Sequence, residues 1–413
     1  MLASTGCSVS YRPPVVFAGG HALFPNPVEA RIHRFEARAG IQARMAYYRV
    51  PGLSVAVVNN GVVEWARGYG EQEAGGGVAV TQDTVFQAAS VSKPVTAVAA
   101  LRLVQDGRLT LDEDVNRRLS SWQLPRSPHT HARPVTLRAL LSHSAGISVH
   151  GFGGYASNAS LPSSREILDG RGAANNRPIR CEAAPGQRSS YSGGGYVIVQ
   201  QLISDVTGQP FADVMEGLLL APLGMTHSTF DQPLPSAFQG HAAAGHTADG
   251  TEVPGRWHNY PELAAAGLWT TPTDLARVLV EIENAAGGRQ SRLLGQALAT
   301  QMLTHQLPVG NAGLGVFVTG GGRSTRFEHN GVNVGYRSLI IGQAYTGHGL
   351  VVMSNGDNGA KLNAEIARAI EAEYGWGGAD DLGRDDAYSV LDEMDDDGDG
   401  PALAEAPSLL SLR

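Results

Sequence analysis

Apolar and polar positions along this 413-residue chain change period several times, and each change predicts an element. Residues 28–48 carry helical spacing. Residues 53–66 hold two β-rich runs around Asn60-Gly61, the dipeptide that favours a tight two-residue hairpin turn. A short apolar strand-like run at 85–89 leads into a helix through 95–101. Pro94 stands early in that helix, where its missing N–H is tolerated. From 125 to 300 helical patterns alternate with Gly/Pro/Ser loops, the clearest helices being 197–207 and 273–284. Four strand-like runs follow, at 314–319, 324–329, 336–341 and 350–354, and 360–374 closes as a helix. The order predicts an α+β fold whose sheet is built from both ends of the chain. The expected division is an extended leader over 1–27, a sheet lobe from 28–124 and 301–375, and a helical lobe over 125–300. A tail over 376–413 follows. No internal repeat is visible.

Charge changes the picture only at the end of the chain. The net charge is −8, but eleven acidic and two basic residues lie within 376–413, leaving 29 basic and 28 acidic residues elsewhere. The body therefore offers no electrostatic argument for nucleic acid or an anionic membrane. The tail is acidic, Gly-rich and poor in large apolar residues, so disorder is expected. Asp395 to Gly400 imitates the start of a calcium loop, but the twelfth position is Ala406, where a bidentate glutamate is required. No run of about 18 apolar residues exists to span a membrane. Residues 1–27 lack a basic segment followed by an apolar one, so no signal peptide is recognised. The default expectation is cytoplasmic, or exported if translation begins upstream. Cys7 follows Ser4-Thr5-Gly6 without a preceding apolar stretch, a poor lipoprotein site. Together with Cys181 it makes neither a disulfide framework nor a metal set.

Three segments carry candidate chemistry. Ser90-Val91-Ser92-Lys93 sets a hydroxyl and an amine three residues apart at the start of a helix, on one face. A serine hydroxyl needs an adjacent base near neutral pH. Lysine serves if burial or a neighbouring cation brings its pKa well below the usual ~10.4. Tyr191 lies in a Gly/Ser-rich loop, 185–196, that opens a helix. A nearby ammonium would lower its phenol from ~10, so Lys93 and Tyr191 share the role of base, with the choice between them open. Finally, 327–336 joins two strand-like runs and contains His329-Asn330-Gly331. The imidazole is largely neutral at pH 7, and Gly331 permits close backbone approach of a substrate.

Taken in order, these segments resemble the motifs of the penicillin-recognising serine hydrolases: S-x-x-K, then Y-x-N, then K-T-G or a variant such as H-x-G. The superfamily includes class C β-lactamases, DD-peptidases, D-aminopeptidases and family VIII carboxylesterases. Residues 140–147, 222–225 and 266–276 also look like the family, and the resemblance covers about 28–374. It implies an antiparallel sheet flanked by helices, an all-helical lobe, and a site in the cleft between them. It implies Ser90 as nucleophile, Lys93 and Tyr191 as proton carriers, and the Ser90 and Val332 N–H groups as oxyanion donors. His329, Asn330, Gly331 and Gly193 would contact substrate. No metal or organic cofactor is implied.

The chain departs from the family pattern twice. Gly193 stands where the asparagine of Y-x-N belongs, and Asn330 where the threonine of K-T-G belongs. The first change removes an amide that would meet a substrate acyl-amide carbonyl. Neither the Ser-Asp-Asn element nor the acidic deacylation base of class A enzymes is found. The expectation is a carboxylesterase or D-amino-acid peptidase working through an acyl-enzyme, with a β-lactamase or DD-carboxypeptidase behind it. The alternative of another class is a silent β-lactam sensor or assembly protein. The Gly193-Gly194-Gly195 run is a candidate for positive φ, which would oppose a side chain there. Ser144 is a rival nucleophile, since Ser142 to Gly146 nearly matches G-x-S-x-G. However, helical sequence precedes it, where a nucleophile elbow requires a strand. His129, His131, His241 and His246 lie in loop-like sequence without a convincing third ligand, which points to surface histidines rather than zinc.

Overall fold

A computed structural model describes residues 26–376. Nearly all of the expected leader and tail, including Cys7 and the calcium-loop imitation, lies outside the described residues. In chain order the strands are β1 (Gly52–Asn59), β2 (Val62–Gly70), β3 (Phe86–Gln87), β4 (Tyr155–Ala156) and β5 (His258–Asn259). They continue with β6 (Trp269–Thr270), β7 (Phe317–Thr319), β8 (Arg326–Asn333), β9 (Tyr336–Gln343) and β10 (His348–Ser354). Six of them form one antiparallel sheet in the order β2-β1-β10-β9-β8-β7. The two ends of the chain meet at β1 and β10, where Leu53 faces Ser354 and Val58 faces Gly349. Asn60 and Gly61 both take positive φ, 55° and 75°, as the hairpin turn between β1 and β2 demands.

Both faces of the sheet are covered, so β1 is buried along almost its whole length. Its period of two sends alternate residues to different cores. Leu53, Val55 and Val57 join Leu339, Ile341 and Val352 against Ile32 and Phe35 of helix Pro27–Ala39 and Ile366 and Ile370 of helix Gly359–Tyr374. Ala56 and Val58 join Ile340, Val351 and Met353 on the opposite face. That face packs on helix Pro272–Ala286 through Leu275, Val278, Leu279 and Ile282. Each such side chain contributes about 1.5–3 kcal/mol when fully buried.

The architecture is α+β, an antiparallel sheet flanked by helices. Four local expectations are corrected. The helix expected over 28–48 is two helices, because Gly40 takes the left-handed conformation (φ 56°) that ends Pro27–Ala39 before Ile41–Tyr48 begins. The run at 314–319 pairs only as Phe317–Thr319. Segment 125–300 is not all helical, since β4 pairs with β5 inside it and β6 pairs with β3. Helix Pro272–Ala286, expected with the helical segment, lies on the sheet because its apolar stripe matches that face. Among the described residues no helix is long and apolar enough to cross a membrane.

Two features of this frame prepare a site. Helix Ser92–Gln105 is buried over most of its length, with Val95, Val98, Leu101 and Leu103 in the core. Its first turn cannot shift without repacking. Strand β7 borders β8 only over Arg326 to Glu328. The rest of β8, from His329 to Asn333, has β9 on one side and the turn at 89–91 on the other.

Candidate active site

The Ser90 turn is held in an unusual backbone state. Ala89 has φ 50°, a left-handed conformation that alanine rarely adopts and that costs on the order of 1 kcal/mol. Four hydrogen bonds fix it. Ala88 N donates to Leu268 O at 2.8 Å, and Ser338 Oγ donates to Ala88 O at 2.6 Å. Ser92 Oγ donates to Ala89 O at 2.6 Å and accepts from Leu268 N at 3.1 Å. Ser92 is thus a positioning residue inside the S-x-x-K motif, and its short polar side chain at a helix start was the available signal.

Lys93 Nζ donates to Ser90 Oγ at 2.9 Å and to Ala265 O at 2.8 Å. It is buried, at 2% exposure, and among the described residues it forms no ion pair. Burial without a carboxylate disfavours the ammonium and lowers its pKa to about 7. From the usual 10.5 that displacement corresponds to roughly 5 kcal/mol against the charged form. An amine half-neutral at pH 7 and touching a serine hydroxyl can accept that proton.

The Tyr191 ring lies 4.8 Å from Lys93 Nζ, and its buried hydroxyl, which neighbours Ser90, meets no partner at full hydrogen-bond geometry among the described residues. The expected lowering of its pKa is reversed. Burial pushes the phenol well up, and the neighbouring Ser90 hydroxyl offsets this only in part. Burial outweighs the opposing contribution, so Tyr191 stays protonated near neutral pH and can act as a donor. Its loop is clamped on both sides by His143, which sequence reasoning missed. Ser190 N donates to His143 O at 2.7 Å, and Ser192 N donates to His143 Nδ1 at 3.1 Å. The His143 ring packs on Tyr191 at 4.3 Å between centroids. Its pKa falls well below the usual value through burial, with Lys93 and His329 adding to the fall. The signal was His143 itself, inside segment 140–147 that resembled the family.

His329, Asn330, Gly331 and Val332 lie on the part of β8 that borders the turn. His329 is buried, and its Nδ1 meets Asn330 O at 2.6 Å while Nε2 has no partner among the described residues. Burial, followed by the Lys93 charge, lowers its pKa to about 3, so it is neutral at pH 7. Asn330 is buried and its Nδ2 is unpartnered among the described residues. Gly331 serves a different contact from the one expected. A Cβ there would stand 2.4 Å from Ala88 O and 2.2 Å from Ser338 Oγ, so the close approach is made by the Ser90 turn. Gly193 begins helix Gly193–Thr207 with ordinary helical backbone, and the expected positive φ is absent there and at Gly194 and Gly195. What crowds a side chain is the Phe152 ring, 2.9 Å from where a Cβ would sit, together with His150 O at 3.0 Å.

The rival groups are used elsewhere. Ser144 Oγ shares a 2.9 Å hydrogen bond with Ser142 Oγ, which also donates to Arg138 O. His246 is buried, not at the surface, with Nδ1 on Asn355 O and Nε2 accepting from Ala74 N. His131 and His241 are exposed and His129 is half-buried. Among the described residues no group of three or more His, Cys, Asp or Glu could hold a metal ion.

The family model described as Beta-lactamase matches residues 37–374. The chain belongs to the Beta-lactamase family. Members of this family are generally serine hydrolases, and the antiparallel sheet flanked by helices is the family's frame. Protein flp of Staphylococcus aureus (strain N315) is 26% identical over 334 residues, covering 78% of this chain. The chain spans 62% of that relative's length. Esterase EstB of Burkholderia gladioli is 31% identical over 218 residues, 50% of this chain and 55% of EstB. Among solved structures, the octameric penicillin-binding protein homologue from Pyrococcus abyssi has a TM-score of 0.65 at 24% identity, over 83% of this chain and 76% of that one. D-amino acid amidase from Ochrobactrum anthropi SV3 has a TM-score of 0.66 at 23% identity, over 84% and 100%. These two likenesses are of fold.

Proposed function

We propose that this chain is a serine hydrolase that cleaves neutral esters through an acyl-enzyme on Ser90. The observation that carries the reading is the 2.9 Å contact between Ser90 Oγ and a buried Lys93 with a pKa near 7. Neutral Lys93 takes the Ser90 proton as Oγ adds to the substrate carbonyl. The N–H groups of Ser90 and Val332 receive the oxyanion. Collapse breaks the carbonyl–oxygen bond, and the alcohol leaves with a proton supplied by Lys93 through the protonated Tyr191. Water then adds to the acyl carbon and gives a proton to Lys93; collapse breaks the acyl–Oγ bond, Lys93 returns that proton to Ser90 Oγ, and the acid is released.

The charge state of the site supports neutral substrates. His329 and His143 are uncharged at pH 7 and Lys93 is half so, which leaves these three groups with little positive charge to hold a substrate carboxylate. The likeness to esterase EstB points the same way. The intact contact between Lys93 and Ser90 argues against a silent sensor. A panel of p-nitrophenyl esters, D-amino-acid p-nitroanilides, nitrocefin and benzylpenicillin tests the reading. The esters are expected to give the highest kcat/KM. A preference for a penicillin over every ester would overturn it.

Gly331→Ala is expected to lower kcat on an aryl ester by roughly 10²-fold with the fold retained. The added methyl pushes the Ser90 turn out of line, and misplacement of about 1 Å has that order of effect. Circular dichroism together with steady-state rates checks this.

A further inference from the structure

We infer that Phe152 selects the acyl group of the substrate and makes the acyl side of this cleft apolar. The inference rests on the ester-hydrolase reading and goes beyond it by naming the group that sets acyl preference. Phe152 stands in the run His150-Gly151-Phe152-Gly153-Gly154. Such a loop would be mobile if left alone, but it is tied down on both sides of the ring. Gly194 N donates to Val149 O and Gly193 N donates to His150 O, each at 2.9 Å. His258 Nδ1 meets Gly153 O at 3.0 Å, and Asn175 Nδ2 donates to Gly154 O at 2.9 Å. Gly154 has φ 68°, and the Tyr260 ring fills the space where its side chain would be.

The ring between these anchors is half-buried. Its Cε2 lies 2.9 Å and its Cδ2 3.4 Å from the position of a Cβ on Gly193. Gly193 is two residues beyond Tyr191, whose hydroxyl neighbours Ser90. Phe152 therefore holds the space that a polar side chain at 193 would use to contact the acyl portion of a substrate. An acyl chain entering from this side meets ring carbons, and an acyl-amide carbonyl finds no donor side chain at 193. The substrate class is neutral esters of unbranched or aryl carboxylic acids, without an amide next to the carbonyl-bearing carbon.

A matched pair of substrates isolates this effect. The p-nitrophenyl esters of pentanoic acid and of N-acetylglycine share a leaving group and nearly the same length, and differ by an amide in place of two methylenes. Rates are divided by those of hydroxide hydrolysis to remove intrinsic reactivity. The wild type is expected to favour the pentanoate, and Phe152→Ala to cut that preference roughly tenfold, the scale of losing a good apolar contact. Gly193→Asn alone is expected to lose activity on p-nitrophenyl acetate, because the new side chain meets the ring. Phe152→Ala in the same chain should restore part of it, since His150 O still lies 3.0 Å from the Cβ position, and this coupling is one that independent sites would not show. Phe152→Asn repeats the preference measurement if the alanine variant does not fold. Labelling of Ser90 by a small fluorophosphonate is followed in every variant. Labelling that persists with an unchanged substrate preference, and no rescue in the double variant, overturns the role of Phe152 alone. Loss of labelling in the wild type overturns the hydrolase reading beneath it.

Discussion

Ser90→Ala is expected to reduce hydrolysis of aryl esters by at least ~10³-fold, because no other hydroxyl in the cleft has a base in contact with it. Lys93 Nζ touches Ser90 Oγ, whereas Ser144 is bonded to Ser142 and supports a helix end. Ser144→Ala should therefore keep most of the activity. Steady-state rates on p-nitrophenyl acetate for the two variants check this. A Ser144 variant that loses more than the Ser90 variant would reverse the assignment.

Lys93→Ala should lower kcat by roughly two to four orders of magnitude, as for loss of a general base. The wild-type pH profile should carry the signature of the same group. Burial lowers the Lys93 pKa, so its active neutral form accumulates as pH rises, and kcat/KM climbs through a limb centred near pH 7. Below that limb the ammonium has no proton-accepting capacity. Tyr191→Phe should slow turnover but leave the limb in place, since the phenol is held protonated across this range. Disappearance of the limb in Tyr191→Phe would transfer the base role to the tyrosine.

Much of this was legible in the chain because the relevant signals are local. The Asn60-Gly61 hairpin, the buried helix after Ser90, and the spacing of Ser90 from Lys93 depend on residues a few positions apart. Gly40 shows the limit of local reading. Helical periodicity ran through it, and only the left-handed turn separated two helices. Long-range contacts were the hidden part. The closure of β1 on β10 spans about 300 residues, yet the β-rich runs at the two ends announced the strands if not their register. The real use of Gly331 depends on Ala88, and the clamp of His143 on the Tyr191 loop joins segments some 50 residues apart. The sign of the Tyr191 shift also required structure, because burial and charge pull it in opposite directions and sequence does not report depth. Phe152 was invisible for a similar reason. A phenylalanine in a glycine-rich run reads as loop packing until its ring is found against Gly193.

The central claim is that Ser90 forms the covalent acyl-enzyme. Intact-mass measurement after treatment with a fluorophosphonate, followed by peptide mapping, tests it most directly. One adduct per chain is expected, on the peptide containing Ser90, formed faster at pH 8 than at pH 6 and absent from Ser90→Ala. An adduct of equal yield in Ser90→Ala, or one mapped to Ser144, would contradict it.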